Sequence, residues 1–168
     1  ALIAYIPAGF PSHAGCKKVI AAFAEGGVDA IEIGFPYSDP VMDGPTIQAA
    51  AVQSLSQGTG AKEVFESLQC AHDHGVAAVV MTYWNPIERY GVDKFAQAIA
   101  DHGGSGVITP DLTVEESEGW ITATDASGIN RIYVVAPSTS DSRLLVVTSK
   151  CGGFVYAASM MGVTGTRS

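Results

Sequence analysis

The chain has 168 residues, 47% hydrophobic and 15% charged, and its nine Lys+Arg against 17 Asp+Glu leave a net charge of -8. That size suits one domain, the acid excess excludes the basic surface that nucleic acid or an anionic membrane requires, and so few charges among so many apolar residues exclude disorder. No apolar run reaches the roughly 18 residues of a membrane helix, and Cys16, Cys70 and Cys151 are too scattered for a disulfide frame or zinc site, so a cytoplasmic protein with buried thiols is expected.

The start, ALIAYIPAGF, is too short for a signal peptide. Its apolar part, Leu2–Ile6, reads as the first strand. Further apolar runs follow at Val28–Gly34, Val76–Tyr83, Gly106–Thr109, Arg131–Val135 and Phe154–Ala157. They are rich in Val, Ile or Ala without clean alternation, as strands buried on both faces are, which predicts a parallel sheet. Helices are expected between them. His13–Glu25 has Ser12 at its N-cap, Cys16, Val19, Ile20 and Phe23 at helical spacing, and Gly26-Gly27 at its end. Ala61–His74, Val92–His102, Val114–Ala126 and Ser142–Ser149 complete the set, with Glu115, Glu116 and Glu118 in the first turn of the fourth, where the helix dipole favours them. Phe35–Gly58 is the long connection after the second strand. Six βα units in one domain, 1–168, mean a doubly wound sheet or a barrel, and both bind ligands at the C-terminal ends of their strands.

At those ends one residue stands out. Glu32 sits in the second strand, with Ile31 and Ile33 directed one way and Ala30, Glu32 and Gly34 the other. A carboxyl group in apolar surroundings is expensive unless paired or protonated. Burial raises its pKa toward neutrality, where it both gives and takes protons. The structural alternative is a salt bridge, but no Lys or Arg lies between Lys18 and Lys62, so its partner would be distant. Asp43 follows in the next loop ahead of Gly44-Pro45 and reads equally as a turn or N-cap aspartate or as the second member of an acid/base pair. Asp39, in Ser-Asp-Pro, reads more readily as a turn residue, and Asp111 is open between turn and site. Tyr5, Tyr83, Trp84 and Tyr156 end strands, where they fill core or line a pocket for a flat aromatic ligand. Gly162-Val163-Thr164-Gly165 is a lid or an anion-binding loop and lacks the lysine of a P-loop. His13, His72, His74 and His102 fall at helix starts or tails, away from the strand ends, so neither a metal site nor a histidine-based triad is expected.

Together these segments resemble the α subunit of tryptophan synthase. The resemblance is carried by Ala8-Gly9-Phe10-Pro11, by the 17-residue run from Glu32 to Gln48 (EIGFPYSDPVMDGPTIQ), by Asn85-Pro86, by Pro110-Asp111-Leu112 with Glu115-Glu116-Ser117, and by Gly162-Val163-Thr164-Gly165, in family order along essentially the whole chain. It implies a (β/α)8 TIM barrel, here without its N-terminal helix and last two strands, since a complete barrel needs roughly 250 residues. It also implies retro-aldol cleavage of indole-3-glycerol phosphate to indole and glyceraldehyde 3-phosphate, a lyase step in tryptophan biosynthesis.

By the same resemblance Glu32 is the catalytic acid/base and Asp43 the aspartate that accepts the indole N–H. Tyr5, Ile47, Met81, Tyr156 and Thr164 match substrate-pocket positions. The family subunit uses no metal and no cofactor. It pairs, in a heterotetramer, with a pyridoxal phosphate (PLP) β subunit, and the contacting residues match Pro36, Ser38, Asp39, Pro40, Asn85 and Pro86. A proline of some members is Thr113 here, which weakens that part of the match. The family's phosphate-binding backbone falls beyond Ser168, so a longer native protein is expected, and the 168-residue piece alone is expected to be inactive. Two other readings compete. A phosphate-sugar barrel isomerase or decarboxylase would need a rim lysine or first-strand acid, whereas Lys17, Lys18, Lys62, Lys94 and Lys150 fall on helices or turns. A non-catalytic activator of the β subunit would not need Glu32.

Overall fold

A computed structural model describes residues 1–159. Six strands, β1 (Ile3–Pro7), β2 (Ala30–Gly34), β3 (Ala77–Met81), β4 (Gly106–Thr109), β5 (Asn130–Val135) and β6 (Tyr156–Ala157), lie side by side in chain order. Every pairing is parallel. A doubly wound sheet reverses its strand order at a switch point. Here each crossover steps the same way, so the right-handed rule puts every helix on one face. The strands thus form an arc of a β/α barrel, in which β1 pairs only with β2, and β6 only with β5, among the described residues.

The two faces have different cores. Ile31, Ile33, Ala78, Val80 and Val107 point outward and pack with Ile20, Val64, Leu68, Phe95 and Ile99 of the helix layer. Burying a side chain such as Leu68 stabilises the fold by about 1.5–3 kcal/mol relative to leaving it in water. Val79, Ile108 and Ile132 form the core of the inner face, with Met81, Val134, Phe154 and Tyr156 against them. Strand alternation therefore settles which residues look into the barrel interior, and Glu32 shares that face.

α1 (His13–Glu25) and α3 (Ala61–Asp73) follow the expected pattern. Ser12 caps α1 by accepting the Gly15 N–H at 3.0 Å. The Glu63 carboxylate accepts the Gly60 N–H at 2.8 Å, satisfying an otherwise orphan donor at the start of α3. α5 (Val92–Asp101) buries Phe95, Ala96 and Ile99.

Three elements differ from the sequence reading. The long connection after β2 contains α2 (Pro45–Ser56), and the segment after β3 contains α4 (Trp84–Tyr90). Pro45 and Pro86 fall in first helical turns, where amide donors have no helical acceptor and proline is tolerated. The fourth expected helix, placed from Val114, begins only at Glu118 as α6 (Glu118–Ser127). Ahead of it the Thr113 hydroxyl donates to the Glu116 carboxylate at 2.9 Å, and the Ser117 hydroxyl donates to the Val114 carbonyl at 2.9 Å. These local side-chain bonds give the chain a turn in place of helix. Glu115 is thereby freed from any helix N-terminus and forms a two-pronged pair with Arg143 of α7 (Asp141–Thr148).

Candidate active site

Glu32 lies one residue pair below the C-terminal end of β2 and is 7% exposed. Its ladder neighbours are Tyr5 on β1 and Val79 on β3. Among the described residues no cation lies within ion-pair distance of it. Burial alone therefore acts on the carboxyl group and pushes its pKa up to about 7. Among the described residues the salt-bridged alternative finds no partner.

Tyr5 crosses the same face. A Cβ on Gly34 would meet the Tyr5 hydroxyl at 2.2 Å, so the phenol occupies the space that the missing side chain leaves. The Tyr5 phenol is pushed well above its ordinary pKa, first by burial, then by the charges of Asp43 and of Glu32. The two carboxyl groups thus act on one hydroxyl, although they come from a strand and from the following loop.

Asp43 is half-buried, and burial raises its pKa too. It does not cap α2. The N-cap is Gly44, with no side-chain cap bond, and Pro45 follows it. The helix-cap alternative for this aspartate is therefore not met. The main chain of Asp43 is held from behind, where Gln48 Nε2 donates to its carbonyl at 2.7 Å.

Two of the other expected site residues, Met81 and Tyr156, share the inner face with Glu32. Met81 ends β3 and packs on the inner-face core, as does Tyr156 on β6. The Tyr156 phenol is raised by burial and then by Glu32. Ile47 is a partly buried residue in the first turn of α2. Thr164, with its glycine-rich loop, lies outside the described residues.

The residues expected to contact a partner share this end of the barrel. Pro36, Ser38, Asp39 and Pro40 follow β2, with Pro36 buried and Ser38 and Asp39 exposed. The Ser38 hydroxyl donates to the Asp39 carboxylate at 2.5 Å, a local turn bond. Asn85 and Pro86 stand in the first turn of α4. Asp111 belongs to this frame: its carboxylate accepts the Trp84 N–H at 2.9 and 3.1 Å and so caps α4 from the next loop. The choice between turn and site falls on structure.

Sequence reasoning missed two things here. Asp111 as a cap for a helix 27 residues earlier has no local signature. The hydroxyl of Tyr83 accepts main-chain N–H groups of the Asp43 loop, a role hidden behind its reading as core filling. Of the histidines, His13 bonds Thr59 at 2.8 Å, while His74 and His102 bond carbonyls of their own helices, all away from Glu32. No group of three or more potential metal ligands exists among the described residues.

Comparison with known proteins completes the description. The family model described as tryptophan synthase alpha chain matches residues 1–168. The tryptophan synthase alpha chain of Thermobifida fusca is 58% identical over 99% of this chain and 62% of its own length. That of Acidothermus cellulolyticus is 52% identical over the same shares. Among solved structures, tryptophan synthase of Mycobacterium tuberculosis superposes with a TM-score of 0.95 at 47% identity, covering 100% of this chain and 65% of that one. The tryptophan synthase a2b2 complex of Pyrococcus furiosus gives 0.88 at 34% identity, covering 94% and 67%. The chain thus spans 62% of the length of the curated relatives named here. The arc of six strands is the matching part of their TIM barrel.

Proposed function

The chain belongs to the tryptophan synthase alpha chain family, and from that premise we propose that the protein cleaves indole-3-glycerol phosphate to indole and glyceraldehyde 3-phosphate. The observation that carries this reading is the pairing of Glu32, buried with no cation beside it among the described residues, with Asp43 around the phenol of Tyr5. In this reaction a proton arrives at indole C3, and the ring becomes an electron sink. The glycerol hydroxyl next to C3 loses its proton, the C–C bond breaks, its electrons restore the aromatic ring, and the new carbonyl leaves as the aldehyde. A carboxyl group near pKa 7 suits both proton movements at neutral pH. Positive charge develops at N1 meanwhile, and an aspartate beside the N–H stabilises it. Glu32 is assigned the first role and Asp43 the second. Tyr5, Ile47, Met81, Tyr156 and Thr164 are assigned to the walls around the substrate.

The proposed partner is a β subunit carrying PLP, with Pro36, Ser38, Asp39, Pro40, Asn85 and Pro86 in the interface and no cofactor in the α subunit itself. A cytoplasmic location and a single domain over 1–168 belong to the same reading. The three free cysteines support a reducing compartment.

The test is Glu32→Gln in the complete protein. Indole release is expected to fall by about 10²–10⁴, with β-subunit binding retained. Unchanged indole release would show that the carboxyl group has no part in the chemistry and would refute the assignment.

A further inference from the structure

Asp43 sits in a loop, and a loop carboxylate works in catalysis only if its main chain is held. The N-cap of the helix that follows, Gly44, gives nothing to this, since it has no side chain. The hold comes from elsewhere. Tyr83 lies just beyond the end of β3 and immediately precedes α4. Its phenol oxygen accepts the Met42 N–H at 2.9 Å and the Val41 N–H at 3.2 Å. These are the two residues directly ahead of Asp43. The Tyr83 side chain is buried, 7% exposed, and its ring lies against Tyr37, 5.5 Å between centroids, on the same connection. Both ends of this tether are thus fixed: the ring by packing, the oxygen by two amides that share it as their acceptor. With Gln48 holding the Asp43 carbonyl, the aspartate is clamped on both sides along the chain.

We propose that Tyr83 is a positioning residue whose hydroxyl oxygen pins the Val41–Asp43 loop, so that the Asp43 carboxylate meets the indole N–H. This rests on the role assigned above to Asp43. Tyr83 moves no proton in the reaction and acts only through the loop.

Tyr83→Phe, in the complete protein with its β subunit, removes the oxygen and keeps the ring against Tyr37. The kcat for indole release is expected to fall about 10- to 100-fold, the scale of a displacement near 1 Å, with KM changed far less. Amide hydrogen exchange at Val41 and Met42 is expected to speed up about tenfold or more, while the α3 amides near Leu68 keep their protection. An unchanged kcat overturns the proposal, as does unchanged exchange at the two loop amides. Faster exchange throughout the molecule also overturns it, because the tyrosine would then be a general fold element. Glu32→Gln with full activity would sink the lyase reading instead, so the two failures are told apart.

Discussion

Tyr5 faces Glu32 across the β1–β2 ladder, and its hydroxyl reaches over Gly34, where no side chain stands. The phenol therefore forms one wall of the space in which a buried carboxyl group sits near neutrality.

The first prediction concerns pH. The folded-state pKa of Glu32, about 7, is above the ordinary carboxylate value of 4.5. Between these values the folded protein binds more protons than the unfolded chain, so stability falls as pH rises. The contribution is fully present below about pH 4.5 and lost as pH passes through about 7. Its size is at most roughly 3 kcal/mol. Glu32→Gln is expected to flatten this dependence and to raise the melting temperature at pH 8 more than at pH 5. Thermal melts of both proteins at the two pH values measure it; parallel curves would contradict it.

Asp43→Asn is expected to separate activity from stability. The carboxylate caps no helix, so the change should alter stability by less than about 0.5 kcal/mol. Indole release should fall by about 10²-fold or more. Steady-state kinetics beside a denaturant titration decide this, and a large stability loss would mean that Asp43 holds the loop structurally.

Gly34→Ala places a Cβ 2.2 Å from the Tyr5 hydroxyl and 2.7 Å from its ring carbon. The phenol must move, at a cost of about 1–3 kcal/mol for overpacking. Substrate KM should rise along with the loss of kcat. Tyr5→Phe in the same chain should recover part of the stability, because one of the two clashing atoms is gone. If the double variant is no more stable than Gly34→Ala alone, the clash is not with Tyr5.

Asp111→Ala removes the acceptor for the Trp84 N–H at the start of α4. Loss of such a cap costs about 1 kcal/mol. Asn85 and Pro86 sit in that first turn, so β-subunit affinity should weaken by about fivefold while isolated α-subunit turnover changes little. Calorimetric titration with the β subunit measures this. Unaltered affinity would remove α4 from the interface.

Much of this molecule was legible beforehand, for local reasons. The six strands were visible because parallel strands buried on both faces appear as apolar runs. Glu32 stands out because it lies between two isoleucines inside such a run. α2 and α4 were missed despite Pro45 and Pro86, because a proline in a first turn reads as a loop unless the helix behind it has a strong apolar stripe. A start for α6 at Val114 is suggested by acidic residues placed as dipole partners, whereas the Thr113 hydroxyl binds the Glu116 carboxylate and the Ser117 hydroxyl binds the Val114 carbonyl, so the segment turns instead.

Strand number, the inward direction of Glu32 and the family resemblance are properties of short stretches of chain, set by side-chain alternation and residue order. What the tertiary structure alone decided is which of those residues meet. Among the described residues no cation reaches Glu32, Asp43 acts on the Tyr5 phenol, and Tyr83 binds amides 41 and 42 residues earlier in the chain. Parallel strands return to the same end of the sheet only after a whole helix, so residues distant in sequence become neighbours there, and no local pattern encodes that meeting.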